Sequence, residues 1–313
     1  MDFPNQTILV DFMLSSLSTH HFTQLFLFII FLLVYLFSFV CNLSMICLIW
    51  EVPRLHAPMY FFLSHLSLID LCYSSTIIPK MLSDFLSEKK CISFYSCATQ
   101  MFFFATFATA ECFMVTSMAY DRYMAICQPL VYHISMNTRF CWWLVTGVYI
   151  SSLVASLVHT ITVFHFPLCG SNIINHFYCD IPPLLKLACR YTQIRKFVVF
   201  FLSVVMGIVS LVVILSSYIY IISTIIRMKS QGRSKAFSTC TSHLAVVVLF
   251  YTTVFCVYFR PSLGLDLGDI DKLFSIFYTV VSPLLNPLIY SFKNMEVKRA
   301  LNHFLGLKEK LNF

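Results

Sequence analysis

Three sets of polar side chains stand where the sequence is otherwise apolar. Asp70 and Glu111 are carboxylates within long apolar stretches, Asp121 and Arg122 are adjacent opposite charges, and Cys240 and His243 are i, i+3 neighbours. A carboxylate inside a bilayer is costly and is normally functional. The first two sets are therefore candidates for chemistry within or beside a membrane.

The Asp121–Arg122 pair has two open interpretations. At a membrane boundary, a neighbouring carboxylate can hold an arginine in one state and release it in another. Such a pair can shift the equilibrium of a helix bundle between two conformations. Alternatively, Arg122 only extends its charge to the interface. For Cys240 and His243, a metal site is the alternative to a basic surface with Arg227, Lys229 and Arg233 that meets acidic lipid. We find no phosphate-binding glycine loop, zinc-protease motif or nucleophile elbow, so the sequence indicates no enzyme.

The composition identifies the elements that must position these groups. The 313 residues are 59% hydrophobic and 11% charged, with a mean hydropathy of +0.81. Soluble domains carry about 25% charged residues, so lipid must surround much of this chain. Seven glycines and weak period-2 alternation disfavour a barrel, which leaves helices.

A helix that crosses the hydrocarbon core needs roughly 20 apolar residues. The sequence predicts an all-α integral membrane protein with seven such helices: Leu25–Trp50, Pro58–Ile78, Cys97–Tyr120, Cys141–Val163, Phe197–Ile226, Leu244–Phe259 with amphipathic flanks, and Ile270–Ser291. We therefore predict an outer segment 1–24, a bundle 25–291 and a tail 292–313. The first helix is expected to act as an uncleaved signal-anchor.

Charge predicts the orientation of the chain. With the amino terminus outside, twelve Lys and Arg residues lie inside and nine lie outside. Asp84 belongs to the outer set, which leaves Asp70 and Glu111 as the only carboxylates placed within the bilayer. Asn5 begins a glycosylation sequon, which is usable only on the outer side. Five cysteines also cluster in outer segments, where disulfides persist.

Five strings occur in order on the expected membrane faces. They are Leu55-His-Ala-Pro-Met-Tyr60, Met118-Ala-Tyr-Asp-Arg-Tyr-Met-Ala-Ile-Cys127, Ser217-Tyr218, Lys235-Ala-Phe-Ser-Thr-Cys-Thr-Ser-His243 and Pro283-Leu-Leu-Asn-Pro-Leu-Ile-Tyr290. Together they resemble the odorant-receptor branch of rhodopsin-like G-protein-coupled receptors over nearly the whole chain. The chain departs from that pattern at Cys41-Asn42, Met124 and Phe250–Thr253.

The resemblance implies a signalling role for one end of the bundle. Arg122 is expected to be released on activation, when helix six swings outward, and Tyr218 and Tyr290 to hold the released state. The residues expected to act in activation and G-protein coupling are Asp121, Arg122, Tyr123, Tyr218, Lys235, Asn286, Pro287 and Tyr290.

The same resemblance places Asp70 near Asn42 and Asn286, with Glu111 facing this polar core. A sodium ion would neutralise part of two adjacent negative charges; the alternative is that repulsion and desolvation keep one carboxyl protonated and hydrogen-bonded. No other cofactor is expected. The family pattern also implies disulfides Cys97–Cys179 and Cys169–Cys189, with Cys91 left over; sequence alone permits other pairings.

A ligand cavity is expected between helices three, five and six. Its predicted lining, for which ordinary helix packing is the alternative, is Phe104, Ala105, Ala108, Thr109, Cys112, Ser203, Met206, Tyr251, Val254, Phe255 and Tyr258. Phe104 stands where similar aminergic receptors carry an amine-binding aspartate, so the resemblance implies a small neutral volatile ligand.

The resemblance implies an odorant receptor that activates a stimulatory G protein and raises cAMP. It would be a multi-pass protein of the plasma membrane, in sensory cilia, with lipid but no nucleic acid as a further partner. A transporter is the alternative class, although we find no inverted repeats. A non-olfactory chemosensor with the same fold is the alternative within receptors.

Overall fold

The computed structural model describes residues 11–165, 172–187, 193–228, 230–256, 269–293 and 295–304. Its helices are α1 (His21–Glu51), α2 (Pro58–Leu86), α3 (Phe94–Cys127), α4 (Tyr132–Ser135), α5 (Thr138–Phe164), α6 (Ile181–Lys186), α7 (Gln193–Arg227), α8 (Ser230–Val254), α9 (Asp269–Ile276), α10 (Ser282–Lys293) and α11 (Met295–Phe304). A 3₁₀ turn, Pro53–Leu55, follows α1, and a π-helical turn, Phe277–Val281, joins α9 to α10.

Seven segments form the bundle, as the sequence predicts. Six helical segments are long and apolar enough to cross a membrane: α1, α2, α3, α5, the part of α7 from Phe197, and the continuous stretch Lys272–Tyr290. The seventh is the shorter apolar part of α8, His243–Val254. The predicted all-α membrane fold is therefore confirmed, while the sidedness of its termini stays a prediction.

The second helix is longer than predicted. The sequence boundary at Ile78 rests on Pro79, but α2 continues through this proline to Leu86. A proline removes one backbone hydrogen bond, and packing beyond it compensates: Met81 and Phe85 are buried, and Phe85 stacks on Phe31 of α1. Asp84 consequently lies inside a helix, where it pairs with Lys80. A helix can extend beyond the bilayer, so the assignment of Asp84 to the outer side stays a prediction.

The central helices are α2 and α3. Half or more of the apolar stretch of each is buried, whereas α1 and α7 bury less than a fifth of theirs. Helix α3 packs against α2, α5, α7 and α8. Several polar side chains on α3, Glu111 among them, are therefore buried against protein.

A small sheet closes one end of the bundle. Strand β1 (Asp11–Leu14) pairs antiparallel with β2 (Cys91–Ser93) and parallel with β3 (Ile173–Ile174). Phe12 and Leu14 are buried beneath it. These strands could not be predicted from the sequence, because two to four residues are too few for a periodic signal. We call this the strand end; the other is the Arg122 end.

Candidate functional site: a cavity above a buried polar core

Two buried carboxylates meet at the centre of the bundle. Nδ2 of Asn286 lies 3.2 and 3.1 Å from the carboxylate oxygens of Asp70 and 3.2 Å from Oε1 of Glu111. Both acids are fully buried, and Ser282 Oγ donates to Glu111 at 3.5 Å. The residues predicted to share a polar core are thus brought together by α2, α3 and α10.

Asn42 extends this polar core to α1. Its Nδ2 donates to Pro283 O at 2.9 Å and to Ser38 O at 3.0 Å. Three buried oxygens, Oδ1 of Asn42, Oδ1 of Asn286 and Oε2 of Glu111, have no hydrogen-bond partner among the described residues. Buried oxygens of this kind normally have a partner, and their chemistry fits either a hard cation or a proton on one carboxyl.

At the Arg122 end, the two adjacent charges do not form an ion pair in this structure. Asp121 Oδ1 instead accepts a hydrogen bond from Tyr132 at 2.8 Å. Nε and Nη2 of Arg122 are buried without partners in the described part of the chain. The other carboxylate oxygen of Asp121, Oδ2, is buried without a partner in the described ranges. That Asp121 holds Arg122 in one state of the bundle and frees it in another therefore stays a prediction.

Tyr218 and Tyr290 have different surroundings. The Tyr218 hydroxyl lies 2.6 Å from Nδ1 of His243, whose Nε2 lies 3.1 Å from Val115 O. The Tyr290 hydroxyl is buried, with no partner in the ranges described. Both ring nitrogens of His243 are thus occupied by protein groups, which argues against the alternative of a metal site with Cys240.

The other residues predicted for activation are placed as follows. Tyr123 packs its ring against Tyr220 of α7, with centroids 5.9 Å apart. Pro287 lies inside α10. Lys235 lies in α8, but its side chain is outside the described part of the structure.

A covalent link closes the strand end. The disulfide Cys97–Cys179 joins α3 to the segment before α6, so the predicted pair is confirmed. The backbone N–H of Cys179 donates to Gln100 Oε1 at 3.0 Å, and Asp180 caps α6 at the N–H of Ile181. These bonds place Ile181 against the ligand cavity described next. Cys169, Cys189 and the sequon at Asn5 lie outside the described residues.

The cavity lies between α3, α5, α7 and α8 and measures about 270 Å³. Ten of the eleven predicted lining residues surround it: Phe104, Ala105, Ala108, Thr109, Cys112, Ser203, Met206, Tyr251, Val254 and Phe255. Tyr258 lies outside the described residues. Whether these side chains bind a ligand stays a prediction, but they share one cavity.

The lining also contains residues that the sequence analysis did not name. They are Phe113, His159, Ile181, Gly207, Ile208, Leu211, Phe250 and Tyr278. Helical spacing could have predicted several of these residues. Leu211, for example, follows Gly207 by four positions and therefore lies on the same face of the helix. His159 lies on α5 and Ile181 on α6, and neither helix was predicted to line the cavity.

Two hydroxyls and a thiol form a small network beside the cavity. Ser210 Oγ lies 2.6 Å from the Tyr251 hydroxyl and 3.1 Å from Cys112 Sγ. These contacts join α3, α7 and α8. The network ties the cavity wall to the helices that reach the Arg122 end.

The comparisons with known proteins agree with this geometry. A family model described as olfactory receptor matches residues 31–308. Olfactory receptor 5G3 of Homo sapiens is 51% identical over 310 residues, covering 99% of this chain and 98% of that protein. Olfactory receptor 5G29 of Mus musculus is 51% identical over 301 residues, covering 96% of each.

A solved structure shows the same fold. Squid rhodopsin superposes with a TM-score of 0.67 at 15% identity, covering 95% of this chain and 89% of that one. Proteins of the olfactory receptor family are multi-pass receptors of the plasma membrane rather than enzymes. With the family model and both relatives spanning nearly all of its length, the chain belongs to the olfactory receptor family of G-protein-coupled receptors.

Proposed function

We propose that the chain binds a small uncharged volatile odorant in the cavity between α3, α5, α7 and α8. The observation that carries this proposal is the cavity itself, which at about 270 Å³ is near the lower end for ligand pockets. Its lining includes no Asp, Glu, Lys or Arg among the described residues. A charged ligand would lose its hydration there without gaining a counter-ion.

Ligand binding is proposed to act through α8. Tyr251 and Phe255 line the cavity, and His243 lies about two turns earlier on the same helix, bonded to Tyr218. A ligand that binds one arrangement of α8 more tightly than another shifts the population toward it. The Arg122 end would then open for the carboxyl terminus of a G-protein α subunit. We propose the stimulatory type, which raises cAMP.

We further propose a sodium ion as an allosteric ligand of the polar core. Asp70 and Glu111 would supply the charge, and the unpaired oxygens of Asn42 and Asn286 would complete a set of hard ligands. The rival interpretation is one protonated carboxyl. The proposed sidedness is a segment 1–24 outside, the bundle 25–291 and a tail 292–313 inside.

A screen in cells expressing the receptor tests the proposed function. A panel of uncharged odorants is applied with a cAMP reporter, and uptake of radiolabelled panel members is measured in the same cells. A concentration-dependent cAMP rise without uptake supports a receptor of the stimulatory pathway. Uptake without cAMP would instead indicate a transporter, and cAMP evoked only by charged ligands would contradict the neutral ligand class.

A further inference from the structure

His159 places an unpaired nitrogen in the wall of the ligand cavity. The residue lies on α5, lines the cavity and is only 4% exposed. Its Nε2 is buried and has no hydrogen-bond partner among the residues that the structure describes. Nine in ten buried polar groups have a partner, so this nitrogen is a point at which a ligand group can be recognised.

The helix that carries His159 is tied to α3 close to this residue. Ser152, Ser156 and His159 follow one another on one face of α5, and Ser156 Oγ lies 2.6 Å from Thr106 Oγ1 of α3. Both hydroxyls are buried. This bond ties α5 to α3 one turn before His159, which limits the backbone freedom that α5 can lose when a ligand binds.

The other polar groups of the wall already have partners or can find one. The Tyr251 hydroxyl bonds Ser210, and Ser203 donates to Val199 O at 2.9 Å. Thr109 has no side-chain bond within the described ranges, but a threonine hydroxyl can rotate to the carbonyl four residues earlier in its helix. The ring of His159 has no such local acceptor for Nε2. His159 is therefore the polar group that gains most from a ligand.

The imidazole in this wall is neutral, because the described lining holds no carboxylate to favour the charged form. A neutral imidazole donates through one ring nitrogen and accepts through the other. We propose that Nε2 of His159 forms a hydrogen bond with the oxygen of an uncharged oxygenated ligand, such as a ketone, ester or alcohol. The bond selects that ligand over the hydrocarbon of the same skeleton. This inference rests on the proposed function of the cavity.

Matched ligand pairs test the inference. A panel of medium-chain ketones and alcohols is applied, and odorant-evoked G-protein activation is measured. Each compound is applied beside the hydrocarbon in which carbon replaces its oxygen, an alkene for a ketone and an alkane for an alcohol. In His159→Leu, potency for the oxygenated member should fall roughly tenfold, which is one hydrogen bond. Potency for the hydrocarbon should hold. His159→Gln, whose amide reaches the position of Nε2, should recover much of the loss.

Two further measurements separate recognition from structure. Leu211→Ala enlarges the same cavity without changing a polar group, so it should shift both members of each pair equally. Surface expression of His159→Leu should match wild type, because leucine leaves no buried nitrogen unpaired. A loss of potency that is equal for both members, or no loss at all, overturns the inference. In either of these outcomes the wild type still responds, so the proposed function of the cavity stands. If surface-expressed wild type responds to neither the oxygenated compounds nor the hydrocarbons, both the inference and the proposed function are overturned.

Discussion

The hydroxyl of Tyr218 on α7 lies 2.6 Å from Nδ1 of His243 on α8, and the other nitrogen of that ring reaches the carbonyl of Val115 on α3 at 3.1 Å. Both side chains are buried. One imidazole therefore joins three helices near the Arg122 end. Because Val115 O can only accept, Nε2 carries the proton and Nδ1 accepts from the tyrosine.

Tyr218→Phe should destabilise the receptor. The change leaves Nδ1 of His243 buried and unpaired, which costs roughly 1–3 kcal/mol. Tyr220→Phe removes the same hydroxyl from an exposed side chain of the same helix and should be neutral. The melting temperature of the detergent-solubilised receptor is measured for both tyrosine variants. A double variant with His243→Phe should lose less than the sum of the single losses; equal effects of the two tyrosine variants would contradict the bond.

Arg122→Ala should leave odorant binding largely intact and abolish G-protein signalling. Its buried guanidinium nitrogens belong to a residue about two and a half helical turns beyond Phe113, where α3 leaves the cavity wall. Arg139→Ala removes an exposed charge at the same end and should keep signalling. The measurement is the cAMP response at equal surface expression. A normal response of Arg122→Ala would show that the arginine only extends to the interface.

Cys97→Ser and Cys179→Ser should each prevent surface delivery, because each breaks the disulfide that links the segment before α6 to α3. The double variant should be no worse than either single, since both changes remove the same disulfide. Cys91→Ser changes a free, exposed cysteine beside them and should be harmless. Surface labelling of intact cells gives the comparison; additive losses would mean that the two cysteines have different partners.

The buried ring of His176 should make stability depend on pH. Burial, together with the positive charge of Lys272, lowers the pKa of His176 from 6.5 to about 3. Between these values the unfolded chain binds the proton and the folded chain does not. The contribution of His176 is therefore full above pH 6.5 and is lost as pH falls toward 3.

Melting temperatures from neutral pH downward test this dependence. Below pH 6.5, wild type should lose up to about 1.4 kcal/mol per pH unit more than His176→Gln. Exposed His133 provides the control, because His133→Gln should leave the wild-type slope unchanged. Parallel curves for wild type and His176→Gln would show that the imidazole is protonated in the folded protein.

The sequence could predict those parts of the cavity whose lining residues recur at helical spacing over several turns. Helical spacing in α3 and α8 was enough to place Phe104, Cys112 and Tyr251 around one cavity. His159 was missed because α5 reads as an ordinary apolar helix, and one imidazole adds little to its pattern. The role proposed for His159 depends on the packing of the bundle, which leaves Nε2 without a partner among the described residues.

Tertiary contacts decide the remaining differences. Pro79 is a helix-ending signal, yet α2 continues because Met81 and Phe85 are buried beyond it. Asp121 and Arg122 are adjacent in sequence, but a carboxylate can bond any donor within reach, and Tyr132 of α4 supplies one. Adjacency along the chain does not determine which partner is bound.

Sodium should lower agonist affinity if the ion occupies the polar core. An ion between Asp70 and Glu111 would favour the closed bundle, because activation is expected to collapse this space, and preferential binding to one state shifts the equilibrium. The measurement is agonist affinity in membranes as sodium replaces choline at constant ionic strength, since surface screening also varies with salt.

Three variants separate the two interpretations of the polar core. With sodium bound, Asp70→Asn should remove the dependence on sodium and Glu111→Gln should weaken it. Asp84→Asn neutralises another carboxylate of α2, one paired with Lys80 rather than Asn286, and should keep the wild-type dependence. If Glu111 is instead protonated, Glu111→Gln is nearly isosteric with the native group and should change nothing. Affinity that is flat in sodium for wild type and every variant would contradict the ion and favour a protonated, hydrogen-bonded pair, with Asn286 donating to both acids.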